Sequence, residues 1–304
     1  MAEHPNAQLE ELAALLVGTP YRPLQLLGRG AIGDVYMVEH EFLGKKFALK
    51  RIHARCAALP GFVERARLEA QALGRLQHPN VVEVIEYWPS QRGVPCLVLE
   101  LLRGRALREE LLRQGRLPET RAVTIAQEVL AGLEAAHALG IVHRDIKPEN
   151  VFLHHPPGFE MVTKVLDFGL ARVLLDVSAA PPAAHEVRTA TGALVGSPRY
   201  YSPEAIRREP VDHRADLFGV GLILYEMLTG RGPYDLDRVL PPSELTPGLS
   251  SGLDAVVMRS LQESRRARFQ SAREFSIALE AVSPRPSRSP TSWRPAPGWV
   301  RTPD

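Results

Sequence analysis

Hydrophobic positions follow two different periods along this chain, and the change falls near residue 102. Between Tyr21 and Leu101 the apolar runs are short, often alternating, and rich in β-branched and aromatic residues: YRPLQLLGRG, DVYMVEHEFLGKKFALKRI and, after a break, VIEYW and CLVLEL. These features predict strands. In the run Lys46 to Arg51, Phe47 and Leu49 fall on one face, Ala48 and Lys50 on the other. The nearly all-apolar run at 96–101 predicts a central strand. One helical pattern interrupts this half, at 62–76, where Phe62, Ala66, Ala72, Leu73 and Leu76 share a stripe. Beyond Gly104 the period is helical. Residues 118–139 set Ala122, Ile125, Ala126, Val129, Leu133 and Ala136 on one face, ending at Gly140. Residues 212–229 are apolar nearly all round, as a buried central helix requires. Residues 1–20 predict a short amphipathic helix with Leu9, Leu12, Leu15 and Leu16 on one side, and no function is assigned to it.

Composition narrows the picture. The chain of 304 residues carries 37 Lys and Arg against 35 Asp and Glu, which gives no argument for a nucleic-acid partner. Cys56 and Cys96 stand far apart with no metal-ligand spacing, as expected of two reduced thiols. The first 20 residues lack a basic n-region, and no run of about 18 apolar residues occurs, so the expectation is a cytoplasmic protein without a membrane span.

The chemistry concentrates between Ile141 and Gly169: IVHRDIKPEN, a 16-residue insert, then DFG. Asp145, Asn150 and Asp167 there are spaced for phosphoryl transfer, in which one Asp takes the substrate hydroxyl proton while an Asn and a second Asp hold Mg²⁺. Each residue alone reads as a loop carboxylate or turn amide, but together they are specific. Upstream, Gly28, Gly30 and Gly33 with Val35 form a GxGxxG pattern. That pattern also suits dinucleotide folds, where it joins a strand to a helix. Here it joins two strands, which favours a loop folded over ATP phosphates.

On these residues the chain resembles the eukaryotic-like (bacterial-type) Ser/Thr protein kinases. The resemblance covers residues 21–282 and implies an α+β bilobal fold: a small antiparallel sheet lobe with one main helix (21–101) and a larger, mostly helical lobe (102–282). An N-terminal extension (1–20) and a disordered Pro/Ser/Arg-rich tail (283–304) flank it. It implies ATP and Mg²⁺ as cofactors, with Lys50 of FALK on the α/β-phosphates. Glu69 lies within the apolar stripe, where a lone carboxylate is costly, so a Lys50–Glu69 ion pair is expected; a Glu at the edge of the stripe is the alternative. Leu27, Val35, Ala48 and Phe152 would sandwich the adenine, and the backbone of Glu100 to Leu102 would bind its edge, with Leu99 behind.

The same resemblance makes Asp145 the catalytic base and Lys147 a phosphate-contacting lysine typical of Ser/Thr specificity. Asn150 and Asp167 become the metal ligands. It makes Thr189 and Thr191 candidate autophosphorylation sites that Arg144 could pair, in a transient homodimer acting in trans. Asp216 would brace the HRD backbone, and Arg268 would pair with Glu204. Protein Ser/Thr hydroxyls are the implied substrates. Three departures stand out. Ser197 and Ser202 replace a usual Thr and Ala in GSPRYYSPE, and only DLDRVL stands where the family places a further helix, so bare apolar surface is expected there. Rival readings are a nucleotide-binding scaffold without turnover, which predicts a lost Lys50, Asp145 or Asp167, and a small-molecule kinase, which predicts no SPE segment or Glu204–Arg268 pair.

Overall fold

The structure is a computed structural model that describes residues 5–30, 32–89, 94–168, 198–235, 238–250 and 252–283. Five strands build the first sheet: β1 (Tyr21–Arg29), β2 (Gly33–His40), β3 (Lys45–Ile52), β4 (Val84–Pro89) and β5 (Pro95–Glu100). Their order is β1-β2-β3-β5-β4, all antiparallel, so the apolar β5 is interior as its composition predicts.

Alternation then assigns two faces. Val35 stands opposite Lys50, Met37 opposite Ala48, and Lys50 and Ala48 opposite Leu97 and Leu99, so these side chains share one face. Tyr36, Val38, Phe47, Leu49, Cys96 and Val98 belong to the other. Helix α1 (Pro5–Leu15) lies over that second face: Leu12 and Leu16 are buried in its cluster and Leu9 packs against it. The N-terminal helix is therefore part of the small lobe, a seat that its own period could not reveal.

A short turn of helix, α2 (Ala54–Ala57), leads to α3 (Phe62–Leu73), which Gly61 starts in the left-handed region at φ 70°. Phe62, Ala66, Ala70 and Leu73 are its buried residues, and Phe62, Ala66 and Ala70 share a cluster with Ile52 and Leu97. Glu69 is only half-buried, at the margin of this stripe.

Beyond β5 the chain becomes helical around α4 (Leu107–Gln114), α5 (Glu119–Ala138), α6 (Pro203–Ile206) and α7 (Arg214–Thr229), then α8 (Pro242–Leu245), α9 (Leu253–Ser260) and α10 (Ala272–Val282). A small sheet has the order β6 (Gly104–Ala106), β7 (Val151–His154) and β8 (Val162–Val165), and Val165 of β8 forms a parallel bridge with Val81 just before β4. The α5 stripe and seven residues of α7 enter one core, and most of the rest of α7 is buried as well. Segregating a strand-rich lobe from a helical one gives the bilobal α+β architecture.

The shortened stretch after α7 meets one expectation only in part. Between a 3₁₀ turn at Pro233–Asp235 and α8, the described residues form no helix, yet α7 stays covered. Val239, Leu245 and Leu249 pack on its core, and Thr246 Oγ1 donates to the Leu228 carbonyl at 3.0 Å. Tyr234, 51% exposed, is the large apolar side chain left at the surface there. A shorter connection can lie flat on the helix that a longer one would have buried.

Candidate active site

The segment between α5 and β7 is built on one buried carboxylate. Asp216, near the start of α7, accepts from the backbone N–H of His143 (2.9 Å) and Arg144 (2.6 Å) and from His137 Nε2 (2.8 Å). Two amides and a ring satisfy a charge that would otherwise be costly to bury. They also hold Arg144 at φ 66°, where a long side chain carries strain of about 1–2 kcal/mol. His143 completes the frame: its Nδ1 accepts from Asp145 N–H (3.2 Å) and its Nε2 faces the Leu166 carbonyl (2.7 Å). The neutral tautomer protonated on Nε2 satisfies both. Asp216 was singled out in the sequence; His137 was missed, although it lies six residues before His143 at the end of α5.

On this frame three side chains converge. Lys147 Nζ donates to Asp145 Oδ2 at 2.5 Å, and Asn150 Nδ2 donates to the Asp145 carbonyl (2.8 Å) and to Oδ2 (3.0 Å). With its amide nitrogen used in this way, the oxygen of Asn150 is the atom suited to a hard cation. Asn150 in turn receives Leu166 N–H on its backbone carbonyl at 2.8 Å, which ties the loop to the chain just before Asp167.

Asp167 takes φ 55°, a conformation Asp tolerates better than most residues. Its Oδ1 meets Lys50 Nζ at 2.6 Å, joining the two lobes. Burial works to raise this carboxyl's pKa, but the Lys50 charge and hydrogen bond outweigh it and hold it below the usual carboxylate range. Phe168 is buried and packs its ring 4.6 Å from that of His143.

Here a sequence expectation is corrected. Among the ion pairs of the described residues, Lys50 is joined to Asp167 and not to Glu69. The stripe of α3 centres on Ala66 and Ala70, so Glu69 sits at its edge, and the single ammonium is taken by Asp167.

The residues expected to surround a nucleotide can be placed one by one. Val35 and Ala48 line the cleft face with Lys50, and Leu27 is 41% exposed at the end of β1. Phe152 on β7 is half-buried. A cavity of about 20 Å³ behind Lys50, lined by Leu73, Leu97, Leu99, Asp167 and Phe168 among others, has room for a water and not for a base. A Cβ placed at Gly28 would meet no atom within 4 Å, whereas one at Gly33 would lie 2.3 Å from the Arg51 carbonyl. Gly28 thus leaves open space beside the strand, and Gly33 permits the close approach of β2 to β3. Gly30 N–H closes the loop on the Gly33 carbonyl at 3.0 Å. At the end of β5, Glu100 N–H bonds the Glu83 carbonyl (3.1 Å) and the Glu100 carboxylate is paired with Lys164. Leu102 is half-buried in the linker.

Two further pairings frame the region. Arg268 makes a fork with Glu204, Nη1–Oε1 2.8 Å and Nη2–Oε2 2.7 Å, both side chains fully buried, as expected for this pair. Its remaining donors reach the carbonyls of Gln262, Glu263 and Arg214, and its guanidinium stands 4.6 Å from the Phe218 ring. The second was not foreseen: Arg108 on α4 bonds Glu149 (2.9 Å) of the catalytic segment, Glu226 (2.6 Å) of α7 and the Tyr200 hydroxyl, which also bonds Glu226. Separations of up to 118 residues hide this cluster from sequence reading. Ser202 is buried at the start of α6. Thr189, Thr191 and Ser197 lie outside the described residues. His154, at the end of β7, accepts from the Arg103 backbone N–H on Nδ1 at 2.9 Å.

Comparison with known proteins agrees with this geometry. A family model described as protein kinase domain matches residues 21–243. "Serine/threonine-protein kinase pkn2" of Myxococcus xanthus is 36% identical over 309 residues, covering 95% of this chain and 36% of that protein. "Serine/threonine-protein kinase Pkn1" of the same organism is 36% identical over 295 residues, covering 92% of this chain and 41% of that protein. The chain thus spans less than half the length of these curated relatives. Among solved structures, the Mycobacterium tuberculosis PknI kinase domain superposes with a TM-score of 0.68 at 28% identity, covering 86% of this chain and 96% of that one.

Proposed function

Because this chain belongs to the protein kinase domain family, we propose that it transfers the γ-phosphoryl group of ATP to Ser and Thr hydroxyls of proteins. The observation that carries the proposal is the convergence of Asp145, Lys147 and Asn150 on one braced loop, facing an Asp167 already joined to the cleft lysine.

Asp145 orients the attacking hydroxyl and accepts its proton as the bond to phosphorus forms and the β–γ bridging bond breaks. Lys147, hydrogen-bonded to that same carboxylate, is placed to neutralise charge on the transferred group. Lys50 holds the α/β-phosphates from β3. Asn150 and Asp167 would hold Mg²⁺, which would supply positive charge to the phosphates when bound. Most of the rate gain then comes from positioning and electrostatics, since the protein forms no covalent bond to the phosphoryl group.

Lys147 supports the Ser/Thr preference through the resemblance. Autophosphorylation at Thr189 or Thr191 in a transient homodimer, a kinase domain over 21–282 with a separate tail, and a cytoplasmic site belong to the same proposal. The described residues contain no helix long and apolar enough to cross a membrane. The test is transfer from γ-labelled ATP with Mg²⁺ to a mixed protein substrate, followed by phosphoamino-acid analysis. Phosphoserine and phosphothreonine support the proposal; phosphotyrosine alone, or label only on small metabolites, contradicts it.

A further inference from the structure

On the face of the first sheet turned away from the cleft, an ion-pair chain runs from helix α1 to the glycine-rich loop. Asp34 follows Gly33 directly and is 9% exposed. Its Oδ2 lies 4.0 Å from Arg51 Nη2, its cross-strand partner on β3, and its Oδ1 lies 3.1 Å from His53 Nε2. His53 Nδ1 faces Arg55 Nη2 at 3.0 Å. A guanidinium only donates, so the ring is the neutral tautomer carrying its proton on Nε2, aimed at Asp34. Arg51 is the counter-charge within reach of this nearly buried carboxylate.

Arg51 also reaches outward. Its Nη1 stands 3.1 Å from Glu11 Oε1 on α1, an ion contact without hydrogen-bond geometry. The other arm of the loop is held too, since Arg29 Nη2 donates to Gln8 Oε1 of α1 at 3.0 Å. The backbone is clasped at the same place: His53 N–H donates to the Ile32 carbonyl at 2.7 Å, and Gly33 runs so close to Arg51 that a Cβ would collide with its carbonyl. Strand alternation makes this informative, because adjacent residues of β3 serve opposite faces, Lys50 the cleft and Arg51 the outer face under α1.

We infer that Asp34 is a positioning residue for the glycine-rich loop, and that Arg51 couples it to α1, so that the N-terminal helix sets how the loop meets the nucleotide. The inference rests on the ATP-binding reading above. Neither Asp34 nor Glu11 lies on the cleft face, so both act through backbone placement. Their loss weakens nucleotide binding more than the chemical step.

The experiment uses the full chain as wild type, Asp34→Asn, Asp34→Glu, Arg51→Lys and Glu11→Gln. Affinity for Mg·ATP is read by calorimetric titration, KM for ATP and kcat with a Ser/Thr-containing protein substrate, and Tm by thermal unfolding. Asp34→Asn raises Kd and KM for ATP about tenfold with a smaller change in kcat. Asp34→Glu recovers part of that loss. Glu11→Gln, whose carboxylate is 55% exposed, raises KM about twofold, and Arg51→Lys falls between because an ammonium lacks the planar fork. An unchanged KM in Asp34→Asn with a lowered Tm overturns the inference, since a merely structural role does that. Should Asp34→Asn not fold, unchanged KM in both Glu11→Gln and Arg51→Lys overturns it. Wild-type protein that binds no ATP instead overturns the kinase reading, and this inference with it.

Discussion

Lys50 Nζ and Asp167 Oδ1 are 2.6 Å apart, joining the third strand of one lobe to the residue that precedes the buried Phe168 of the other. The lysine side chain is 6% exposed, so its charge is compensated inside the cleft rather than by water. In the proposed reaction both groups turn to the substrate, Asp167 to Mg²⁺ and Lys50 to the phosphates. Lys50→Met is expected to lower kcat/KM by about 10²–10³-fold, the range for losing one preorganised electrostatic contact. It also removes the cation that depresses the Asp167 pKa, so that carboxyl moves upward. Steady-state kinetics and a carboxyl NMR titration check the two halves separately.

The glycines give a contrast that separates strand packing from nucleotide binding. Gly33→Ala sets a Cβ against the Arg51 carbonyl and should lower Tm, because two paired strands must separate. Gly28→Ala meets open space and should leave Tm within about 1–2 °C of wild type. Its cost should appear as a raised KM for ATP, since the methyl group enters the space proposed for the nucleotide.

The Glu204–Arg268 fork is a stability element with a stated pH dependence. Arg268→Ala leaves a buried carboxylate without its cation and should cost about 3–5 kcal/mol, or a Tm loss on the order of 10 °C. Burial works to raise the Glu204 carboxyl's pKa, and Arg268 outweighs it, so the carboxyl is held below its ordinary value. A depressed carboxylate contributes stability that is fully present above the unfolded pKa, about 4.3, and lost as pH falls through the folded value. The Tm difference between wild type and Glu204→Gln should therefore be constant from pH 7 to about 5 and shrink below pH 4. A difference that stays constant down to pH 3 would contradict the assignment.

Both cysteines are buried and burial pushes their thiols up, Cys96 to about 11. Native protein at pH 8 should react with a thiol reagent far more slowly than unfolded protein at either position. Rapid labelling of Cys96 without unfolding would mean that the sheet core around it opens.

How legible these features were depended on where the partners lie in the chain. Asp145, Lys147 and Asn150 fall within six residues, so the sequence displays their constellation directly. The interior place of β5 and the burial of α7 follow from composition over a short window. Glu69 was harder: a period locates a residue near a stripe, but the partner of one ammonium is settled by competition between two carboxylates, 98 residues apart in the chain, in three dimensions. The Arg108 cluster and the Asp34–Arg51–Glu11 chain join residues on separate elements, and no local pattern marks them. Helix α1 shows the same division, since its leucines predict a helix and only the sheet's outer face shows where they go.

The most direct measurement incubates purified wild type and Asp145→Asn with Mg·ATP, maps phosphate by mass spectrometry, and titrates ATP binding in parallel. The account predicts phosphate on Ser or Thr residues in wild type, a fall of about 10²–10⁴-fold in its rate of incorporation in Asp145→Asn, and ATP binding retained in both. Equal incorporation in the two proteins, or bound ATP with no phosphate transferred by wild type to itself or to a protein substrate, would contradict it.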